Sequence, residues 1–492
     1  MKITALRLRP SPGSTPLLRP IGLLLLLSTF GWAAAVLDAQ PLAGVVCANG
    51  GPNYPPNGMS EFLAGDIGTP MLKHTLSGAE SQCNDGTQAV MYIRPADAVY
   101  TGNGLPPADR EQEKWVIHFL GGGGCGDADQ CLERWCGLTG IDQAGKMSTT
   151  GTYDAIAGLQ GILRRDPAVN EFAGYNQVVL YYCDSSNWIG SESHTSITAT
   201  AGPMAGTSYD IEFNGEAIVN DAFNTLLAGP TFADPVPAAT FYNTPLPSLM
   251  TADEIVISGD SAGGGGARHH LDRLQDLLAA AIPGPPRIYG VIDAGAPPAL
   301  WESWILWGGP GAPGDYADYL QNVVDPRAGV FWGAEPTAVD QSCLDPAFAA
   351  VHNLIGSHPE ICYDTTFTLM NHITTPFFLR MDINDPLAKQ KYVDWGLFGS
   401  VPDYWLGQVD LLLGAAAGAG GLEPWPLQPG VFGPKCNRHV SILNNQFFTH
   451  HVSPVGLSFH DLLVNWRDGL LPISQIQPDF NAGPFFTPSF CP

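Results

Sequence analysis

A serine lies between two glycines in the pattern Gly259-x-Ser261-x-Gly263, a spacing that can support nucleophilic catalysis. The β-branched run Ile255–Ile257 predicts a buried strand before it, and residues 262–281 carry a helical pattern after it. A serine on a strained strand-to-helix turn needs small neighbours two positions away. The helix start also offers free N–H groups beside the hydroxyl. The segment therefore predicts a nucleophile, with an incidental serine in a glycine-rich turn as the alternative.

A run of four glycines begins at Gly121, directly after the apolar strand pattern Trp115–Leu120. Residues without Cβ allow backbone N–H groups to approach a substrate carbonyl oxygen closely. Such donors stabilise the oxyanion that forms when a serine attacks an ester. The predicted donors are the backbone N–H groups of Gly122, Gly123, Gly124 and Ala262.

A serine nucleophile also needs a histidine base and a carboxylate that orients the base. In the α/β-hydrolase order, the acid follows the serine and the histidine follows the acid. Spacing alone does not choose among the residues that satisfy this order. The acids after the strand pattern 377–381 are Asp382, Asp385 and Asp394, and the later histidines are His439, His450, His451 and His460.

Short apolar runs alternate with helical patterns along the chain and would position these residues. The predicted strands lie at 89–93, 115–120, 177–183, 255–257, 288–293 and 377–381. The clearest helical stripe consists of Ala267, Leu271, Leu274 and Leu278. This alternation predicts an α/β-hydrolase-like fold, with a mostly parallel sheet and helices on both faces. The glycine- and alanine-rich segment 414–421 predicts a flexible insertion, either a surface loop or a lid.

The first 39 residues have the pattern of a secretion signal. An apolar run, Ile21–Leu37, follows four basic residues, Lys2, Arg7, Arg9 and Arg19. Small residues near Ala35 or Ala39 offer cleavage sites. Cleavage leaves residues 40–492 as a single catalytic domain, secreted to the exterior or the periplasm without stable membrane association. An uncleaved membrane anchor is the alternative.

The cysteine count and the charge agree with export. Ten cysteines, an even number, predict disulfides that cross-link the long loops. The sequence lacks the tandem C-x-x-C pairs that would indicate a zinc site. The formal net charge of −25 argues against nucleic acid or an anionic membrane as a partner. The sequence lacks an N-x-S/T sequon, which favours a bacterial exported enzyme.

Five segments together resemble the pectin acetylesterase family, which includes the Notum carboxylesterases. In chain order they are Phe119–Cys125, Tyr182–Ser186, Ser258–Gly264, Asp293–Gly295 and Cys436-x-x-His439. The resemblance implies a carboxylic ester hydrolase that uses Ser261, His439 and Asp385 and requires no metal or organic cofactor. It leaves Asp382 as the second choice of acid, with His450 and His451 as second choices of base.

The chain departs from the family pattern at three places. Asp260 stands beside the nucleophile where the family usually has a small residue. The segment before Cys125 lacks an aromatic residue, and Asp385 precedes Pro386 in an unusual context. Because of these departures, the sequence constrains the chemistry more closely than the substrate.

The expected substrate is an acylated polysaccharide or a small ester, with deacetylation of a polysaccharide as the expected reaction. The strong negative charge disfavours an anionic polygalacturonate and keeps a neutral polysaccharide open. Trp188, Phe447 and Phe448 are expected either to line the acyl pocket or to lie in the core. A small polar pocket would favour acetate, whereas a deep apolar pocket would favour the longer acyl chains of Notum-like members.

Two other interpretations remain. Hormone-sensitive-lipase-like esterases share the Gly-Asp-Ser-Ala-Gly pattern, but they place a histidine directly before the glycines. In this chain two residues separate His118 from the glycine run. The second interpretation is an inactive secreted binding protein that keeps the same fold.

Overall fold

The computed structural model describes residues 40–47, 69–98, 104–138, 144–229, 246–295, 333, 340–345, 362, 368–369, 371–382, 385–387, 429–434, 436–452 and 456–470. The predicted signal segment, the insertion at 414–421 and Asp394 lie outside these residues. Within the described ranges, no helix combines the length and hydropathy that a membrane span requires.

A large sheet organises the described residues. Its strands, in spatial order, are β12 (Gly430–Phe432), β11 (Phe377–Arg380), β10 (Arg287–Asp293), β9 (Glu254–Asp260), β4 (Glu111–Phe119), β6 (Tyr175–Leu180), β3 (Val90–Arg94), β2 (Met71–Thr75) and β5 (Ala155–Ile156). Neighbouring strands from β12 to β6 pair in parallel, and those from β6 to β5 pair antiparallel. The prediction of a mostly parallel sheet is therefore confirmed.

Smaller elements surround this sheet. A second sheet has the order β1 (Gln40–Pro41), β8 (Ser208–Phe213) and β7 (Glu192–Thr198), and β13 (His451–Val452) pairs with β14 (Leu457–Ser458). The described α-helices are α1 (Ala128–Trp135), α2 (Gly215–Ala228), α3 (Ala262–Ala281), α4 (Gln446–Thr449) and α5 (Phe459–Arg467).

Helices α3 and α5 cover opposite faces of the large sheet. Successive residues of a strand point to opposite faces. On β10, the ring of Tyr289 packs against Trp466 of α5, with centroids 5.7 Å apart. The next residue, Gly290, faces α3, because a Cβ at this position would lie 2.7 Å from Leu271. The prediction of helices on both faces is confirmed.

The predicted apolar stripe of α3 forms part of the core. Its four members, Ala267, Leu271, Leu274 and Leu278, are each at most 1% exposed. They lie above the central strands, whose Ile255–Ile257 run is fully buried. Because strand and helix are both anchored in this core, the turn that joins them has a fixed position.

The described cysteines are all oxidised, as predicted. The pairs are Cys47–Cys136, Cys83–Cys183, Cys125–Cys131 and Cys343–Cys362. Cys436 is also disulfide-bonded. The short Cys125–Cys131 bridge ties the end of the glycine run to α1.

Candidate catalytic site

Ser261 occupies the turn between β9 and α3. Its backbone angles are φ 51° and ψ −122°, a region that non-glycine residues rarely adopt. Its N–H donates to the carbonyl of Asp293 at 2.8 Å, and its own carbonyl accepts from the N–H of Gly265 at 3.0 Å. These bonds and the packed strand and helix hold the strained residue in place. The hydroxyl is thereby presented at the end of the sheet.

The two flanking glycines are required by close backbone contacts. A Cβ at Gly259 would lie 2.2 Å from the carbonyl oxygen of Gly263. A Cβ at Gly263 would lie 2.0 Å from the carbonyl oxygen of Phe119, at the end of β4. Both distances are far below van der Waals contact. The Gly-x-Ser-x-Gly spacing is therefore a packing requirement of this turn.

Ser261, His439 and Asp385 form a continuous hydrogen-bonded chain. The hydroxyl of Ser261 lies 2.7 Å from Nε2 of His439, and Nδ1 of His439 lies 2.7 Å from Oδ2 of Asp385. The ionised carboxylate can only accept, so Nδ1 carries the hydrogen and the lone pair of Nε2 faces the serine. Asp385 is fully buried, whereas the His439 side chain is 20% exposed. The arrangement can remove a proton from Ser261.

Asp382, the second choice of acid, has a different set of partners. Its Oδ1 accepts from Arg380 and its Oδ2 accepts from the N–H of Arg438 at 2.8 Å. Burial raises the pKa of Asp382 to about 6, against the lowering effect of Arg380. Both oxygens therefore stabilise the loop that precedes His439.

The other predicted histidines have separate environments. His450 is fully buried, and its two ring nitrogens form no hydrogen bond with the described residues. Burial lowers its pKa to about 4, with help from the nearby charges of Arg380 and Arg438. His451 lies in β13. His460 accepts from the N–H of Glu171 at 3.2 Å. Of the four histidines, His439 is the one that contacts Ser261.

One group of side chains has the composition of a metal site. Ligand atoms of Asp382, Cys436 and His450 lie within 4.8 Å of one another. However, Cys436 is in a disulfide and offers no thiolate. Both oxygens of Asp382 already accept hydrogen bonds. The chemistry of this group therefore does not fit a metal ion.

Asp293 of the Asp-x-Gly segment holds the loop that carries His439. Its Oδ2 accepts from the N–H groups of Ser441 and Ile442, both at 2.7 Å. Its Oδ1 accepts from Arg380 at 2.7 Å, and the same guanidinium nitrogen donates to the carbonyl of His439 at 2.9 Å. All these atoms are buried or partly buried. The segment thus fixes the position of the base from the neighbouring strand.

The glycine run begins beside Ser261, and two of its carbonyls accept hydrogen bonds from side chains. Arg134 of α1 donates to the carbonyl of Gly122 at 2.6 Å, and the Tyr182 hydroxyl donates to the carbonyl of Gly123 at 2.7 Å. Burial lowers the pKa of Arg134, although nearby Tyr182 and Asp184 act in the opposite direction. Fixing a carbonyl also fixes the plane of its peptide bond.

The four predicted donors are the backbone N–H groups of Gly122, Gly123, Gly124 and Ala262. Considering only the residues that the structure describes, their N–H groups have no hydrogen-bond acceptor. The sequence predicts the three glycines from their missing Cβ atoms and Ala262 from the helix start, but it gives no indication of Arg134 and Tyr182, which bind the carbonyls of Gly122 and Gly123.

Tyr182 gives a direct test of this arrangement. We expect Tyr182→Phe to lower kcat for ester hydrolysis about five- to tenfold, because one neutral hydrogen bond is worth ~1 kcal/mol. Tyr92→Phe is the matched control. Tyr92 lies in β3, and its hydroxyl donates to the carbonyl of Tyr153 at 2.8 Å. Steady-state kinetics on both variants should separate them. Equal kcat values in the two variants would contradict the role of Tyr182.

Two of the three aromatic residues that could have lined an acyl pocket lie in the core. Trp188 is fully buried and its N–H donates to the carbonyl of Leu120 at 3.3 Å. Phe447 is fully buried and packs edge-on against Phe459. Phe448 is partly buried, beneath the guanidinium of Arg164. The pocket-lining interpretation is wrong for Trp188 and Phe447, whose rings support the sheet.

Comparisons with known proteins show which family and fold the chain resembles. Residues 67–233 match the sequence profile of the Pectinacetylesterase family. This range includes the glycine run and the strand-end segment Tyr182–Ser186 and stops before Ser261. The palmitoleoyl-protein carboxylesterase NOTUM of Drosophila melanogaster is 24% identical over 261 residues, which cover 50% of this chain and 33% of that protein.

Pectin acetylesterase 5 of Arabidopsis thaliana is 25% identical over 167 residues, which cover 34% of this chain and 31% of that protein. The chain thus spans about a third of the length of these two curated relatives. A solved structure of the Wnt deacylase Notum from Drosophila superimposes with a TM-score of 0.53 and 19% identity. It covers 82% of this chain and 96% of that chain, which shows a shared fold. The resemblance that five short segments predicted is confirmed.

Proposed function

We infer that this chain, which resembles the pectin acetylesterase and Notum family and matches its profile over residues 67–233, is a serine carboxylic ester hydrolase. The observation that carries the proposal is the chain of two 2.7 Å contacts from Ser261 through His439 to Asp385. The named relatives are carboxylesterases and a pectin acetylesterase. Their names support the reaction class, and the geometry supports the proposed catalytic residues.

The proposed mechanism follows from the positions of these atoms. Nε2 of His439 takes the proton of Ser261 while Oγ attacks the ester carbonyl carbon. Asp385 holds the imidazole in the required tautomer and stabilises the imidazolium. The negative charge that develops on the carbonyl oxygen is met by the N–H groups of the glycine run and Ala262.

Collapse of the tetrahedral intermediate completes the acylation. The carbonyl is restored, and the alcohol leaves with the proton from His439. Water, deprotonated by the same histidine, then attacks the acyl-enzyme and releases the carboxylic acid. This sequence regenerates Ser261, and every proton it moves passes through His439.

We propose a short acyl ester, above all an acetyl group on a polysaccharide or small alcohol, as the substrate. The family description and the pectin acetylesterase relative support this choice. The formal net charge of −25 disfavours a strongly anionic polymer as the alcohol part. The second candidate is a longer acyl ester, favoured by the several matches to palmitoleoyl-protein carboxylesterases.

Acyl-chain selectivity tests the proposed substrate class. We expect kcat/KM for p-nitrophenyl acetate to exceed that for p-nitrophenyl octanoate by tenfold or more. A pocket that fits acetate has no room for six further methylene groups. The measurement is initial rates on both esters with the purified protein, corrected for spontaneous hydrolysis. A preference for octanoate would shift the proposal to longer acyl groups, and hydrolysis of neither ester would favour an inactive binding protein.

We propose that the enzyme acts outside the cytoplasm. Four described disulfides, each between buried cysteines, fit an oxidising compartment. The basic and apolar segment at residues 1–39 has the pattern of a secretion signal. N-terminal sequencing of the exported protein tests the proposed cleavage near Ala39.

A further inference from the structure

Asp260, the residue before the nucleophile, joins the nucleophile turn to the glycine run. Its Oδ1 accepts from the N–H of Gly121 at 2.9 Å and from Nε2 of His118 at 2.9 Å. Asp260 is 8% exposed and His118 is fully buried. Two buried donors therefore converge on one carboxylate oxygen at the carboxyl ends of β4 and β9.

The imidazole of His118 is held from both sides. His118 on β4 pairs with Ser258 on the parallel strand β9, and Nδ1 of His118 lies 2.9 Å from the Ser258 hydroxyl. A carboxylate cannot donate, so Nε2–H of His118 donates to Asp260. The His118 ring thus fixes the orientation of the Asp260 carboxylate, because the ring cannot rotate without losing two buried hydrogen bonds.

The carboxylate is kept in its charged form. Burial by itself raises the pKa of Asp260. The hydrogen bond and charge of His118, the N–H of Gly121 and the charge of Lys146 outweigh burial and lower the pKa below its ordinary value. An ionised acceptor forms a stronger hydrogen bond with a backbone N–H than a neutral one.

Gly121 is pressed against the nucleophile turn at this point. A Cβ at Gly121 would lie 2.4 Å from the carbonyl oxygen of Asp260 and 2.9 Å from Cβ of Ser261. It would also lie 2.6 Å from Oδ2 of Asp260. The side chain of Asp260 therefore fills the space that a side chain at position 121 would need. The backbone of the glycine run cannot shift without moving this carboxylate.

The hydrogen bond also selects which N–H groups face the substrate. The N–H of Gly121 is turned toward Asp260 and is unavailable to an oxyanion. The next three glycines have N–H groups without an acceptor among the described residues. The carbonyls of the first two, Gly122 and Gly123, accept hydrogen bonds from Arg134 and Tyr182. The glycine run is thus fixed at its beginning by Asp260 and along its carbonyl side by two buried donors.

We propose that Asp260, oriented by His118, is a positioning residue that holds the oxyanion donors of the glycine run against Ser261. The inference rests on the proposed esterase function and concerns the same site. Asp260 does not touch the reacting atoms. It acts through the N–H of Gly121, which sets where the following N–H groups lie.

The test compares three variants with the wild type. Asp260→Ala removes the acceptor and is expected to lower kcat for p-nitrophenyl acetate ten- to a hundredfold, with little change in KM. Loss of one oxyanion donor typically costs ~10²–10³ in rate, and a displaced donor set should cost less. Asp260→Asn keeps an oxygen that accepts from Gly121, so its kcat should stay within about threefold of the wild-type value.

Glu254→Gln is the matched control on the same strand. Glu254 is a buried carboxylate that accepts from Tyr175 and Tyr289 at 2.9 and 2.8 Å, six residues before Asp260. At ~3.3 Å per residue it lies about 20 Å from the nucleophile turn. This variant should lower the melting temperature and leave kcat unchanged. A second readout is the inhibition constant of phenylboronic acid, whose tetrahedral adduct with the serine resembles the intermediate.

The outcomes separate this inference from the function on which it rests. The positioning role is supported if the wild-type protein is active and if Asp260→Ala alone has a lower kcat and a weaker affinity for the boronate. Wild-type kcat and boronate affinity in a folded Asp260→Ala overturn it. Asp260→Ser replaces the alanine variant if that one does not fold. A wild-type protein that hydrolyses no ester overturns the proposed function and this inference with it.

Discussion

Replacement of Ser261 by alanine is expected to lower kcat for p-nitrophenyl acetate by ~10⁴–10⁶, the range found when a serine nucleophile is removed. The variant keeps the oxyanion donors and the histidine but has no atom that can form the acyl-enzyme. Its backbone need not change, because alanine occupies the same turn without additional bulk. The loss should therefore appear in kcat, with the melting temperature close to that of the wild type.

Ser458→Ala is the control for this variant. Ser458 is a buried serine that accepts from the N–H of Asp461 and caps α5. Its loss is expected to cost ~1 kcal/mol of stability and to leave kcat unchanged. If Ser261→Ala hydrolyses the ester at the wild-type rate, Ser261 is not the nucleophile and the proposed mechanism fails.

Replacement of Asp385 by asparagine is expected to lower kcat by ~10⁴, as when the acid of a serine–histidine–acid triad loses its charge. The asparagine amide can donate to Nδ1 of His439, which moves the ring hydrogen to Nε2 and leaves Ser261 facing a donor. The charge that stabilises the imidazolium is also lost. Steady-state kinetics between pH 6 and 9 measure the effect.

Asp382→Asn distinguishes the two neighbouring acids. This substitution removes a charge from the buried pair with Arg380, so we expect a clear loss of stability. The hydrogen bond between His439 and Asp385 is retained, so kcat should fall far less than in Asp385→Asn. A larger loss of kcat in Asp382→Asn would contradict the assignment and make Asp382 the acid.

The strand pattern of the sheet could be read from the sequence because its central strands are continuous apolar runs. Each of the strands β9, β10 and β11 begins or ends within a few residues of its predicted position. The edge elements were harder. β7 exposes most of its side chains and has no apolar periodicity, although β8 alternates Tyr209, Ile211 and Phe213 toward the interior. That alternation was a signal that the sequence interpretation did not use.

Spacing could not decide between Asp382 and Asp385, whereas the register of the sheet explains their difference. Asp382 follows Arg380 by two residues and binds the same guanidinium that Asp293 binds from the adjacent strand. This pairing depends on which strands are neighbours, and no local pattern reveals it. The family resemblance chose Asp385 because it compares whole segments, and the structure places that carboxylate against His439.

The residues that hold the oxyanion donors carry no sequence signal of their own. Arg134 lies on a short helix that is remote in sequence from Ser261, and it reaches Gly122 because the Cys125–Cys131 bridge ties α1 to the glycine run. In the sequence, Asp260 stands out only as a departure from the family pattern, which usually has a small residue beside the nucleophile. Its contacts with Gly121 and His118 give that departure a physical explanation.

The most direct test of the central claim is covalent labelling by a fluorophosphonate, followed by peptide mapping. An activated serine attacks the phosphorus and displaces fluoride, whereas an ordinary hydroxyl does not react at a comparable rate. We predict one stoichiometric adduct on the peptide that contains Ser261, and no adduct in His439→Ala under the same conditions. An unlabelled wild-type protein, or an adduct on a different serine, would contradict it.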